Sequence, residues 1–230
     1  MASWMVHLRI ADALRTRYPQ LCETEFIVGN IAPDSGVPNA DWSVFTPNTQ
    51  ISHFKVQADD GSMVVSPDLF AKKYFTEPQI QAYTKKQLSF YLGYYTHLLT
   101  DVCWVEEIVA ESIEADRDAY ERDSSAAIWK WKRDWYDLDY LYLRDHPSFS
   151  AFSIYDRAKG FHNEYMDEFS DDAFDNRRAY ITDFYRKVQG NLDRDYPFLT
   201  RERMDFFVKT TADRIAFALF SKEIIDCISQ

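Results

Sequence analysis

The chain contains five histidines: His7, His53, His97, His146 and His162. His97 and Asp101 form an H-x-x-x-D pair. In a helix, residues i and i+4 lie one above the other, so both fall on the face that carries Phe90, Tyr94, Leu98 and Trp104. An imidazole and a carboxylate one turn apart on an inward face can chelate a first-row metal ion. The same pair is also an ordinary His–Asp hydrogen bond within a helix, and a short motif alone does not separate the two. His7 shifts the balance. It lies between Trp4 and Leu8/Ala11 on the apolar stripe of an N-terminal helix. Polar groups brought into a core need partners, and a metal ion is one. The turn-rich segment Gly29–Gly36 follows the apolar Phe26-Ile27-Val28 and contains Asp34. Asp34 reads either as a turn residue or as a carboxylate ligand. Ser52-His53-Phe54 adds a further imidazole, as an ordinary loop His or as another ligand.

These residues need elements to position them. Ser3 is suited to cap a helix over residues 4–17, which ends before Pro19. Residues 23–66 hold Gly29, Pro33, Gly36, Pro38, Pro47 and Gly61 and are expected to be mostly loop and turn. Irregular segments of that length often carry function. A short helix is expected from Pro67 to about Phe75, and a long one from about Pro78 to Glu114 with a break near Trp104. A helix over 124–144 carries Ile128, Trp131, Trp135, Leu138 and Leu141 on one stripe. Shorter helices are expected at 149–158 and 161–168, and closing helices at 171–190 and 200–228. The one β-like stretch, Ser62-Met63-Val64-Val65, is too short to build a sheet. The expected class is all-α: a single multi-helix bundle over residues 1–230 with a functional loop after the first helix.

Composition removes several function classes. With 26 Lys and Arg against 37 Asp and Glu, the 230-residue chain carries a formal net charge of −11. That argues against stable nucleic-acid binding and against anchoring on anionic lipid. Cys22, Cys103 and Cys227 form no C-x-x-C pair, which fits a reducing compartment. The first residues lack the pattern of a secretory signal, since His7, Arg9 and Asp12 interrupt any apolar run. No window offers the roughly 18 apolar residues of a membrane span. A cytoplasmic location is expected. The glycine motifs of P-loop, dinucleotide-binding and serine-hydrolase sites do not occur. Asp139 shares a face with Trp135 and Leu138, and so lies either near the site or on a solvated acidic edge. The Tyr94-Tyr95 pair is expected in the core.

Four segments occur in a telling order: Trp4-x-x-His7, Gly-Asn-Ile-Ala-Pro-Asp34-Ser, Ser-His53-Phe and Tyr-Leu-Gly-Tyr-Tyr-Thr-His97-Leu-Leu-Thr-Asp101. In that combination the chain resembles the bacterial zinc-dependent phospholipase C family, whose all-α fold is shared with zinc-dependent single-strand nucleases. The resemblance covers about residues 1–110, and the rest matches only as generic helices. It implies that Asp34, His53, His97 and Asp101 hold one zinc ion. It also implies that Asp101 bridges to a second zinc shared with His7, and that Asp34 doubles as a general base. Two departures stand out. Secreted members use the amino group and carbonyl of a processed N-terminal Trp as ligands, whereas Trp4 is internal here. Members also build a third zinc site from later His and Glu residues. After Asp101 this chain offers Glu106 and Glu107, then His146, or His162 with Glu164, at different spacings. One or two metal ions are therefore expected rather than three. Zinc is the implied metal, and the donor set also suits manganese, iron or nickel.

The expected function is hydrolysis of a phosphate ester by a metal-activated water, with Asp34 as the catalytic carboxylate. The substrate would be a small phosphate ester or a phospholipid headgroup. One alternative is a nuclease or nucleotidase on the same fold, with aromatics stacking on bases. The other is a metal-binding protein without turnover, whose site staples the first helix and the loop to the central helix.

Overall fold

The computed structural model describes residues 1–41, 43–187 and 190–221. Helix α1 spans Trp4–Arg17. The Ser3 hydroxyl accepts from the Val6 N–H at its start, and the helix buries Met5, Val6, His7, Leu8, Ile10, Ala11 and Leu14. Helix α2, Glu23–Ile31, occupies a stretch expected to be loop. By sequence Gly29 is a turn signal, but in the fold it serves packing. A Cβ on Gly29 would lie 2.2 Å from the Phe90 carbonyl oxygen, and one on Gly93 would lie 2.1 Å from the Phe26 carbonyl oxygen. The two backbones touch, and only a residue without a side chain permits that at either position.

A 3₁₀ turn, Ala32–Asp34, leads out of α2. Strands β1 (Val37–Pro38) and β2 (Phe45–Thr46) pair antiparallel, and α3 (Thr49–Ser52) is a single turn capped by Asn48. Strand β3 (Lys55–Gln57) pairs antiparallel with β4 (Met63–Val65), Val56 opposite Val64. The β-like stretch thus finds a partner in a two-stranded hairpin. Helix α4 (Pro67–Tyr74) forms as expected.

The long helix expected from Pro78 is divided. Helix α5 (Glu77–Ala82) stops, and Thr84 with Gln87 makes a capping box that starts α6 (Lys85–Trp104). The expected break near Trp104 is a π-helical turn, Val105–Val109, followed by α7 (Ala110–Ala115). A short α8 (Arg117–Arg122) was not expected. Helix α9 (Ser124–Asp145) starts at Asp123, which accepts from the Ala126 N–H, and α10 is Ser150–Arg157. No helix forms over 161–168. The Asn163 side chain accepts from the Tyr165 and Met166 N–H groups and donates to the Met166 and Phe169 carbonyls. These local bonds compete successfully with a helix. Helices α11 (Ala173–Arg186) and α12 (Arg201–Ser221) follow. The end of the helix expected to reach residue 228, and Cys227, lie outside the described residues. No helix of the described residues is long and apolar enough to cross a membrane.

Helix α6 runs through the centre, with Phe90, Tyr94, His97, Leu98, Thr100, Asp101 and Trp104 fully buried. The Trp104 ring meets Trp135 of α9 and Phe207 of α12 edge-on, both at 5.1 Å. Asp139 of α9 is not on a solvated edge. It is 2% exposed and accepts from the Ser3 hydroxyl at 2.8 Å and the Tyr185 hydroxyl at 2.7 Å. It therefore ties the start of α1 to α9 and α11.

Two expectations follow. Gly93→Ala forces α2 away from α6 and should cost about 1–3 kcal/mol in urea unfolding. Burial, against the pull of both hydroxyls and Arg9, pushes the Asp139 carboxyl up to about 7. The native state then holds this proton more tightly than the unfolded chain. Its stabilisation is complete below pH 3.8, declines as pH rises to about 7 and is constant above that. Asp139→Asn should therefore gain on the wild type in unfolding free energy across that window. Parallel pH curves for the two proteins would be the contrary result.

Candidate metal centre

The structure brings together all five residues singled out from the sequence. His7 comes from α1, His97 and Asp101 from α6, and Asp34 from the 3₁₀ turn after α2. His53 ends the one-turn α3. Phe54, the next residue, takes a left-handed conformation with φ 51°. That is unfavourable for an aromatic residue, and its ring is held edge-on against Phe70 at 5.2 Å and Tyr94 at 6.1 Å. The Tyr94 hydroxyl donates to the Ser52 carbonyl and fixes the loop from the other side. The pair Tyr94-Tyr95 is in the core, as expected.

The ligand atoms are close. His53 Nε2 lies 3.3 Å from Asp34 Oδ1, 3.3 Å from His97 Nε2 and 3.6 Å from Asp101 Oδ2. His97 Nε2 is 3.6 Å from Asp101 Oδ2, and His7 Nε2 is 3.4 Å from Asp101 Oδ1. The His7 and His97 rings stack at 3.7 Å with 3° between their planes. Two overlapping groups result, His7/His97/Asp101 and Asp34/His53/His97, each with its ligand atoms within 4.8 Å of one another.

The surroundings orient these atoms. His97 Nδ1 donates to the Asn30 carbonyl at 2.8 Å, which turns Nε2 to the cluster, where the neutral ring would present it as a metal ligand. His53 Nδ1 pairs with the Ser52 hydroxyl at 2.9 Å. Asp101 Oδ1 accepts from the Ala2 backbone N–H at 2.8 Å.

Charge and burial point the same way. Burial and the neighbouring His97 push His7 down to about 4, against the pull of Asp101 and Asp34, so it is neutral at physiological pH. Burial opposes protonation of His97, but Asp101 and Asp34 outweigh it and raise its value. Burial alone would raise Asp34 and Asp101, yet the surrounding imidazoles hold both carboxyls well below the usual carboxylate range. The cluster is thus two carboxylates seeking positive charge. Both ring nitrogens of His7, and Asp101 Oδ2, are buried without a hydrogen-bond partner. Orphaned polar atoms at this depth are costly, and a divalent cation would satisfy the lone pairs among them, Asp101 Oδ2 and one nitrogen of His7. Three imidazoles and two carboxylates are a donor set that fits zinc.

The remaining candidates take no part. His146 is exposed, stacks on Tyr142 and bonds the Tyr142 carbonyl through Nδ1. His162 is exposed. Glu106 and Glu107 face Arg214, and Glu107 also faces Arg203. Among the described residues no third group of metal-binding side chains occurs.

A cleft of about 210 Å³ lies beside the cluster, walled by Trp4, Trp135 and Tyr136 and lined by Asp34, Lys132 and Arg177. Asp34 is the one cluster member that reaches it; its side chain is 12% exposed, against at most 1% for the others. Sequence reasoning missed Lys132 and Arg177. Lys132 adjoins the Trp131/Trp135 stripe of α9, which was a usable signal. Arg177 on α11 had none.

No curated protein and no solved structure matches the chain. A family model described as zinc dependent phospholipase C matches residues 6–222. The likeness therefore extends well beyond the first 110 residues and takes in α9 and α11, which wall the cleft. With the match spanning nearly its whole length, the chain belongs to the zinc-dependent phospholipase C family.

Proposed function

We propose that the protein hydrolyses phosphate esters with one or two zinc ions held by His7, Asp34, His53, His97 and Asp101. One observation carries this reading: a buried cluster with unpaired donor atoms opens to a cleft at a single carboxylate, Asp34. Zinc bound there supplies Lewis acidity and lowers the pKa of a water to about 7. The protein's own residues do the rest. His97 belongs to both groups, and the Asp101 carboxylate lies within 3.6 Å of His7, His53 and His97. The Asn30 carbonyl and the Ser52 hydroxyl keep His97 and His53 turned inward. Asp34, ionised at physiological pH, accepts a hydrogen bond from a water in the cleft and orients it toward the substrate. Its low proton affinity makes orientation its larger role and proton removal the smaller one. Trp4, Trp135 and Tyr136 keep bulk water from the reacting group.

A second reading has its own observation. Four of the five residues are sealed from solvent, as in a structural metal site that pins α1 and the 23–66 segment to α6. Metal content and Asp34→Asn separate the two. Protein purified without an affinity tag should contain about one to two equivalents of zinc, lost in both His97→Ala and Asp101→Ala. Asp34→Asn should keep its stability and lose at least about 100-fold in phosphodiester hydrolysis. Absence of stoichiometric metal after reconstitution with zinc or manganese would overturn both readings. Loss of metal and stability in Asp34→Asn, from a wild type inert toward phosphodiesters, would leave the structural one.

A further inference from the structure

Arg177 carries a charge that the fold leaves unanswered. It is 8% exposed. Arg178, equally buried, pairs with Asp175 at 2.6 Å and lies 3.9 Å from Asp156. Arg177 has no carboxylate at ion-pair distance among the described residues. Its guanidinium makes one hydrogen bond, to the Gly36 carbonyl at 2.8 Å, and lies 6.0 Å from the Trp4 ring and 5.5 Å from Tyr180. Lys132 of α9, on the same cleft, is half-buried and also lacks a carboxylate partner among the described residues. Its nearest ring is Trp129, 4.7 Å from Nζ. Burial pushes its ammonium below the ordinary lysine value despite the pull of Asp34.

Acidic partners are plentiful in a chain with 37 Asp and Glu against 26 Lys and Arg. Two desolvated cations left without one, on a single cleft, are therefore informative. Among the residues described, Asp34 is the only carboxylate that lines the cleft, and it faces the imidazoles. A buried cation is costly unless an anion joins it. A guanidinium presents parallel N–H groups that match two oxygens of a phosphoryl group, and an ammonium adds a point charge.

We infer that Arg177 and Lys132 form a clamp for the phosphoryl oxygens of the substrate, and that this substrate is a phosphoester without a cationic headgroup. The inference rests on the hydrolase reading of the cleft and deepens it. The same two charges repel a quaternary ammonium attached to the phosphate. The Trp4 ring, which would otherwise receive such a cation, already has the Arg177 guanidinium beside it.

The test is calorimetric titration of zinc-loaded protein with inorganic phosphate, glycerol phosphate and phosphocholine. Wild type should bind inorganic phosphate and glycerol phosphate. Lys132→Met should weaken both at least tenfold with zinc content and Tm unchanged. Arg177→Lys, which keeps the charge but loses the planar fork, should weaken both severalfold. Phosphate affinity equal in all three proteins, or none in the wild type, overturns the clamp. Phosphocholine binding as tightly as glycerol phosphate overturns the headgroup assignment. Hydrolysis is read separately. Phosphate binding through these residues without turnover of any phosphoester would sink the hydrolase reading and keep the clamp. Turnover with the same KM in wild type and Lys132→Met would do the reverse.

Discussion

A fully buried carboxylate organises this protein. Asp101 sits at the centre of the bundle, 0% exposed, where an uncompensated negative charge would be prohibitively costly. Much of what surrounds it compensates that charge. The Ala2 N–H donates to one oxygen, and His7, His53 and His97 converge within 3.6 Å. The compensation is still incomplete, because Oδ2 accepts no hydrogen bond and His7 uses neither nitrogen. The missing quantity is positive charge at a defined point, which is what a divalent ion supplies. Metal binding at this cluster would be coupled to folding, since the donors come from elements far apart in sequence.

The contact that makes this convergence possible is backbone on backbone. Gly29 and Gly93 let α2 and α6 approach until neither could carry a side chain. Asn30 follows Gly29, and His97 lies one turn beyond Gly93. The Asn30 carbonyl thereby reaches His97 Nδ1, while the Asn30 side-chain amide donates to the Gly93 carbonyl at 3.4 Å. The close approach and the orientation of the His97 ring are one structural fact. The 3₁₀ turn at the end of α2 then delivers Asp34 to the same point.

The sequence disclosed the parts of this design that are local. Helix α1 follows from its stripe and cap and α9 from its stripe, and His97 with Asp101 follows from helical period. The order of the His7, Asp34, His53 and His97/Asp101 segments carried the family likeness, because each fragment is weak and only their succession is informative. Helix α2 was hidden because Gly29 signals a turn by propensity, and its packing partner Phe90 lies 61 residues on. Asn163 produced the opposite error, replacing the helix expected over 161–168 with side-chain bonds that propensity does not score. Arg177 was invisible for a different reason, and Lys132 was marked only by its place beside the Trp131/Trp135 stripe. Helical period says which face of α9 or α11 is apolar, but not which element that face meets.

The burial gradient across the site follows from these same placements. Donors on α1 and α6 are locked by packing on all sides, which suits groups that must hold a fixed geometry. Asp34 sits on a turn at the boundary, where it belongs both to the donor cluster and to the cleft. Beyond it the sign of the charge reverses, from carboxylates to Lys132 and Arg177. An anion entering a protein of net charge −11 meets an unfavourable field until it reaches those two cations. Local polarity at the cleft, rather than overall charge, then sets the field that a ligand would meet beside the His and Asp cluster.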